Sequence, residues 1–245
     1  MFSSAANSRP ATLALPLALL AAAAFLLRPL EHLLATWAAP AVREQLVSLA
    51  GRGGTLAVLG GMKSTVASGF WLRTNLAWER NDPGATTALL ELTVAADERP
   101  LYFWLNGARI LAYDLPEWPP AAVPLAIRQR ASKDQARRAL DFLAKGIRWH
   151  GPAAELYVEM ANIHLRRLDD PASAARCYRL AAEQPGAPYY AARIHAELLR
   201  ELGRPQEALR WLRQVLPTLP AADPAARREV VLERIKAFEQ GLAGR

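Results

Sequence analysis

Between Glu155 and Pro220 the chain states one layout twice, and no other stretch limits its fold as strongly. In the first copy Tyr157 and Ala161 precede an Asp169-Asp170-Pro171 turn signal, and Ala174, Tyr178 and Ala181 follow it before Pro185. In the second, Ala196 precedes Gly203-Arg204-Pro205, and Ala208, Leu212 and Val215 follow it before Pro220. Ala174 and Ala208 lie 34 residues apart, and Ala161 and Ala196 lie 35 apart, the extra residue falling in the longer Leu168-Asp169-Asp170 turn. The spacing predicts two helical hairpins in phase. Small residues at Ala161 and Ala174 let the helices of one hairpin approach closely, while Tyr157 and Tyr178 fill the wedge towards the next. A single hairpin cannot bury its own apolar stripe, so hairpins must stack. An irregular helical bundle is the alternative architecture.

Two weaker copies precede these. Trp71, Asn75 and Trp78, an Asn81-Asp82-Pro83-Gly84 turn, then Ala88, Leu92 and Ala95 before Pro100 predict a diverged first hairpin. A second begins at Trp104, Ala108 and Leu111, with its partner helix delayed until Ser132 and carried by Ala139, Leu143 and Gly146 up to Pro152. The intervening 115–131 insertion holds Pro116, Pro119, Pro120 and Pro124, which forbid a continuous helix across them. It is either a rigid loop presenting Trp118 to a partner or membrane surface, or a long hairpin connection lying across its own repeat. After Pro220, Asp223 can cap a helix with Pro224 at its first position. Val231, Ile235, Phe238 and Leu242 form an apolar stripe that would seal the last hairpin, or alternatively dock on another protein.

The N-terminus carries a different signal. Ala11 to Leu27 is an apolar run of 17 residues broken only mildly by Thr12, preceded by Arg9 and closed by Arg28-Pro29. Such a run predicts a membrane-targeting helix, and the poor cleavage site at Ala39-Pro40-Ala41 favours an uncleaved anchor over a signal peptide. A buried helix of a soluble protein would show one polar face, and this run shows none. The positive-inside rule favours a cytoplasmic N-terminus, with the body exported. Residues 1–28 are thus expected to be a transmembrane signal anchor, 29–60 short helices and a Gly-rich joint, 61–220 the repeats, and 221–245 a capping helix.

Little in the sequence suggests chemistry. Gly60-Gly61-Met62-Lys63-Ser64 is not a phosphate loop, because Met62 separates the last glycine from the lysine. Among His32, His150, His164 and His195 there is no His-x-x-x-His spacing, and lone Cys177 has no histidine near it in sequence. No enzyme activity, cofactor or metal is expected. The net charge of +7 belongs to the C-terminal half, where 128–245 carries 21 Lys/Arg against 14 Asp/Glu. Its Arg pairs, Arg137-Arg138, Arg166-Arg167 and Arg227-Arg228, are interspersed with acids, which predicts a solvated mixed-charge face rather than a nucleic-acid surface.

The period of about 34 residues, with aromatic, small, small, aromatic and proline positions, resembles the tetratricopeptide repeat (TPR). Gly60-Gly61-Met62-Lys63, Phe70-Trp71-Leu72-Arg73, Trp78-Glu79 and Leu111-Ala112-Tyr113-Asp114 are also similar to the opening of bacterial membrane-anchored TPR proteins, with Met62 and Lys63 departing from their aromatic-Arg pair. The expected fold is therefore all-α: a TPR-like α-solenoid of about four hairpins, the first two degenerate, with a C-terminal capping helix and one N-terminal transmembrane helix. The resemblance implies a partner-binding groove lined by the first helix of each hairpin. Its inward residues would be Tyr102, Leu105, Arg109, Val158, Asn162, Arg166, Tyr190, Arg193, Glu197 and Arg200. Asn162 coincides with an asparagine that some TPR domains use to hold a peptide, while the rest of their carboxylate clamp is missing. Arginines in such a groove suit an acidic peptide or helix. The expected role is an adaptor at a bacterial inner membrane, its body periplasmic, within a secretion or pilus assembly. The alternative is a self-contained structural subunit whose groove is filled in cis or by self-association.

Overall fold

The turn chemistry that punctuates the sequence also builds the fold. The computed structural model describes residues 63–120 and 122–243. The apolar run 11–27, the short helices expected over 29–50 and the Gly-rich joint up to Met62 lie outside the described residues. Among the described residues there are nine α-helices and no strand: α1 (Lys63–Glu79), α2 (Pro83–Ala96), α3 (Leu101–Arg109), α4 (Leu125–His150), α5 (Ala154–Arg167), α6 (Pro171–Ala182), α7 (Tyr189–Glu201), α8 (Pro205–Val215) and α9 (Arg228–Ala243). Helices adjacent in sequence are adjacent in space, α1 against α2, α3 against α4, and then α5 through α9 in succession.

Three of the hairpins close with the same device. A residue with positive φ ends the first helix, the next residue precedes the second helix, and proline takes its first position. The residues are Asn81 (φ 52°), Asp82 and Pro83; Asp169 (φ 53°), Asp170 and Pro171; Gly203 (φ 74°), Arg204 and Pro205. Proline is tolerated there because its missing N–H would have no helical partner. At the first two turns the capping carboxylate also accepts a backbone N–H, Ala85 to Asp82 and Ser173 to Asp170, each at 2.9 Å. Asp170→Ala should therefore lower the stability of the α5–α6 hairpin by about 1 kcal/mol in urea unfolding.

The remaining hairpin departs from this scheme. Helix α3 runs into a π-helical turn, Ile110–Asp114, and then a 3-10 turn, Leu115–Glu117. Pro116 fits inside the 3-10 turn and is buried with Leu115. Helix α4 then starts at Leu125, immediately after Pro124, not at Ser132 as the apolar pattern predicts. Its early turns were illegible because they bury no apolar side chain, and Ala136 is its first buried residue.

The interior divides into three apolar clusters. The largest joins α1 to α5 around Trp104, which is 2% exposed, and Phe142, whose ring centroid is 4.9 Å away. Glycine is required beside them, since a Cβ on Gly146 would stand 2.9 Å from Trp104 and one on Gly107 2.8 Å from Phe142. The second cluster buries Ala161, Ala174 and Tyr178 between α5, α6 and α7. The third packs Ala196, Ala208 and Leu212 against Val231, Ile235 and Phe238, so the stripe on α9 does cover the last hairpin.

Candidate partner-binding site

The polar side chains of interest come from α3, its π-turn, and α5. Arg109 ends α3 and Tyr113 lies four residues on, inside the π-turn. Facing them, Glu159 of α5 is only 3% exposed, and its Oε2 accepts a hydrogen bond from Arg109 Nε at 3.0 Å. A buried carboxylate is costly unless paired, so this bond fixes α3 against α5. The Tyr113 hydroxyl is buried without a hydrogen-bond partner among the described residues. Burial pushes its pKa up to about 12, the Glu159 charge adds to the rise, and Arg166, Arg167 and Arg109 oppose it. The Arg167 guanidinium lies 5.7 Å from the Tyr113 ring centroid, within cation–π range.

On the same helix, Asn162 accepts a hydrogen bond from the Tyr178 hydroxyl at 2.8 Å. Burial raises the Tyr178 pKa, with Tyr190 contributing next. Arg166 is exposed and makes no hydrogen bond or ion pair among the described residues. Arg109, Asn162 and Arg166 thus share one neighbourhood, with the half-exposed ring of Tyr190 near its edge. An exposed guanidinium such as that of Arg166 can bind hydrogen-bond acceptors such as carboxylates.

Other predicted site residues sit elsewhere. Tyr102 is exposed but leans edge-on against Trp71, 5.3 Å between centroids, on the α1 side of α3. Leu105 packs against the largest core cluster, and Val158 is buried in the second. The Arg193 guanidinium donates to the Ala226 carbonyl at 3.1 Å, clipping α7 to the turn before α9. Arg200 donates through Nε to Glu197 at 2.9 Å, an exposed pair on one helix. Sequence reasoning missed Tyr113, Glu159 and Arg167 as parts of the neighbourhood. The first could have been found four residues after Arg109, and the second as a charge set between apolar Val158 and Met160. The π-turn that orients Tyr113 has no sequence signature of its own.

Two other titratable groups, His195 and Cys177, are packed into the structure. Burial depresses the His195 pKa, while Nδ1 pairs with the Ala175 carbonyl at 2.8 Å and the ring meets Trp211 edge-on. Burial pushes the Cys177 thiol up to about 11, which leaves it unreactive at neutral pH. Among the described residues no group of three or more His, Cys, Asp or Glu could hold a metal ion, and no helix is long and apolar enough to cross a membrane. Compared with protein-family models, with curated proteins and with solved structures, the chain matches none.

Proposed function

We propose that this chain is a TPR-type adaptor, anchored in a bacterial inner membrane by residues 11–27, that binds an acidic peptide or helix of a protein partner along the first helices of its hairpins. The TPR assignment is supported by the in-phase alanines, since Ala161, Ala174, Ala196 and Ala208 are all fully buried where helices cross. The observation that carries the binding assignment is Arg166, exposed and without a hydrogen bond or ion pair among the described residues, near Arg109 and Asn162. A partner carboxylate there would pair the exposed Arg166 guanidinium through charge-assisted hydrogen bonds. Recognition of this kind needs no catalytic group.

The test is Arg166→Glu in the full-length chain. Purified from detergent-solubilised membranes, wild type should retain a defined set of partners, and the variant should bind them at least about tenfold more weakly, because a charge-assisted contact becomes a like-charge repulsion. Thermal unfolding should be nearly unchanged, as Arg166 makes no hydrogen bond or ion pair among the described residues. Equal retention of every partner would sink the site. Arg193, in contrast, is unsuitable for the test, because reversing its charge would also release the Ala226 carbonyl.

A structural subunit with its groove filled in cis is the second reading. It is favoured by Arg167, which donates to Ser132 Oγ at 3.0 Å and meets Glu117 at 3.4 Å, tying the proline-containing turn across α5. Under this reading, no partner copurifies with the wild type or with Arg166→Glu.

A further inference from the structure

Among the described residues, the start of α4 buries no apolar side chain before Ala136. Pro124 to Ile127, Gln129 to Ala131, and Lys133 to Asp134 are all exposed, with Leu125 at 61% and Ile127 at 59%. Behind the apolar tip, residues 128–138 carry Arg128, Arg130, Lys133, Arg137 and Arg138 against the single acid Asp134. From this arrangement we infer that the α4 tip docks on an anionic lipid surface, with Leu125 and Ile127 entering the headgroup boundary and Arg130 and Lys133 pairing lipid phosphates. This docking is independent of the partner-binding site on α3 and α5.

The apolar residues are distributed in a way that favours lipid over a protein groove. Successive helical residues point about 100° apart, so Leu125, Ala126 and Ile127 cover three directions around the axis rather than one face. A helix bound in a protein groove instead presents anchors at i, i+3, i+4 and i+7. A fluid interface accepts a tip that is apolar all round. The cations follow at a suitable depth: at 1.5 Å per residue, Arg130 and Lys133 stand roughly 8 and 12 Å behind Leu125, which matches an apolar end sunk about 5–10 Å into the interface. Self-pairing is disfavoured, because in a two-fold contact the patch would meet its own excess of positive charge.

The experiment uses the full-length chain carrying Ile127→Cys, labelled with an environment-sensitive fluorophore. Native Cys177 is buried with its thiol raised to about 11, so labelling at neutral pH selects the introduced cysteine. A second preparation, labelled through Gln206→Cys at an exposed position on α8, serves as the comparison. With vesicles of phosphatidylethanolamine and phosphatidylglycerol the 127 label should shift to blue, bright emission. It should remain aqueous with phosphatidylcholine alone, and the 206 label should remain aqueous with both. Combining Arg130→Gln and Lys133→Gln should lower the immersed-to-aqueous ratio at position 127 about thirtyfold, since each basic residue near an anionic surface contributes about fivefold. Aqueous emission at position 127 in anionic vesicles would overturn the inference. So would blue emission without lipid, which would assign the tip to a protein contact, or emission that follows protein concentration, which would assign it to a second copy. Because the label reports only its own surroundings, membrane binding through residues 11–27 cannot produce the expected result.

Discussion

Trp104→Ala should cost about 3–5 kcal/mol of stability, a large share of what a domain of this kind has to lose. The ring is 2% exposed, packs 4.9 Å from Phe142, and donates its Nε1–H to the Glu98 carbonyl at 2.8 Å. Truncation removes the apolar contact, leaves a cavity between α3 and α4, and orphans a carbonyl. Urea unfolding followed by circular dichroism measures the loss. The site also permits a sharper check through Gly146, where an added Cβ would stand 2.9 Å from the Trp104 ring. Gly146→Val should destabilise the wild-type chain by about 1–3 kcal/mol through overpacking. In the Trp104→Ala background it should stabilise, because the new side chain enters the vacated space. A double-mutant cycle in which Gly146→Val has the same sign in both backgrounds would show that the two residues do not share that space.

The second large effect depends on pH. Asp97 follows α2, where Ser64 Oγ donates to Oδ2 at 2.6 Å and Arg99 Nε donates to Oδ1 at 2.8 Å. These partners, Arg99 first, hold its pKa down to about 2 against an ordinary 3.8, although burial opposes them. A depressed carboxylate stabilises the folded state above its unfolded pKa, and that contribution is lost as the pH falls through the folded value. The shift corresponds to about 2 kcal/mol at neutral pH. Asp97→Asn should therefore be about 2 kcal/mol less stable than wild type at pH 6. The gap should narrow from pH 4 downward and nearly vanish at pH 2. Taking the difference between the two proteins removes the titration of all other carboxylates. A gap that is constant from pH 6 to pH 2 would mean that hydrogen-bond geometry, not charge, makes Asp97 matter.

What the sequence revealed, and what it hid, follows from how local each feature is. Helix ends were legible wherever a short segment determines them: Asn81-Asp82-Pro83, Asp169-Asp170-Pro171 and Gly203-Arg204-Pro205 each lie between two helices as anticipated. The buried alanines were legible because their period is a packing requirement. The start of α4 was not, since a helix without a buried face leaves no periodic trace. The neighbourhood was only partly legible for a related reason. Arg109, Asn162 and Arg166 were named through the tetratricopeptide resemblance, but the occupancy of a guanidinium depends on distant chain. Arg109 meets Glu159 and Arg193 meets Ala226 across tertiary contacts that no local pattern encodes.

The π-turn at Ile110–Asp114 has a consequence for how repeat length can vary in this chain. Its wider i→i+5 ring accommodates one more residue than an ordinary helical turn, as though a single amino acid had been inserted into α3. Deleting one residue from 110–112 would restore regular winding and rotate all that follows by about 100°. Tyr113 would then leave the Arg167 guanidinium, and the buried Leu115-Pro116 pair would swing away from the core. The turn thus sets the phase between α3 and the chain that follows it inside one hairpin, and the length of 110–112 is fixed by the contacts made beyond it.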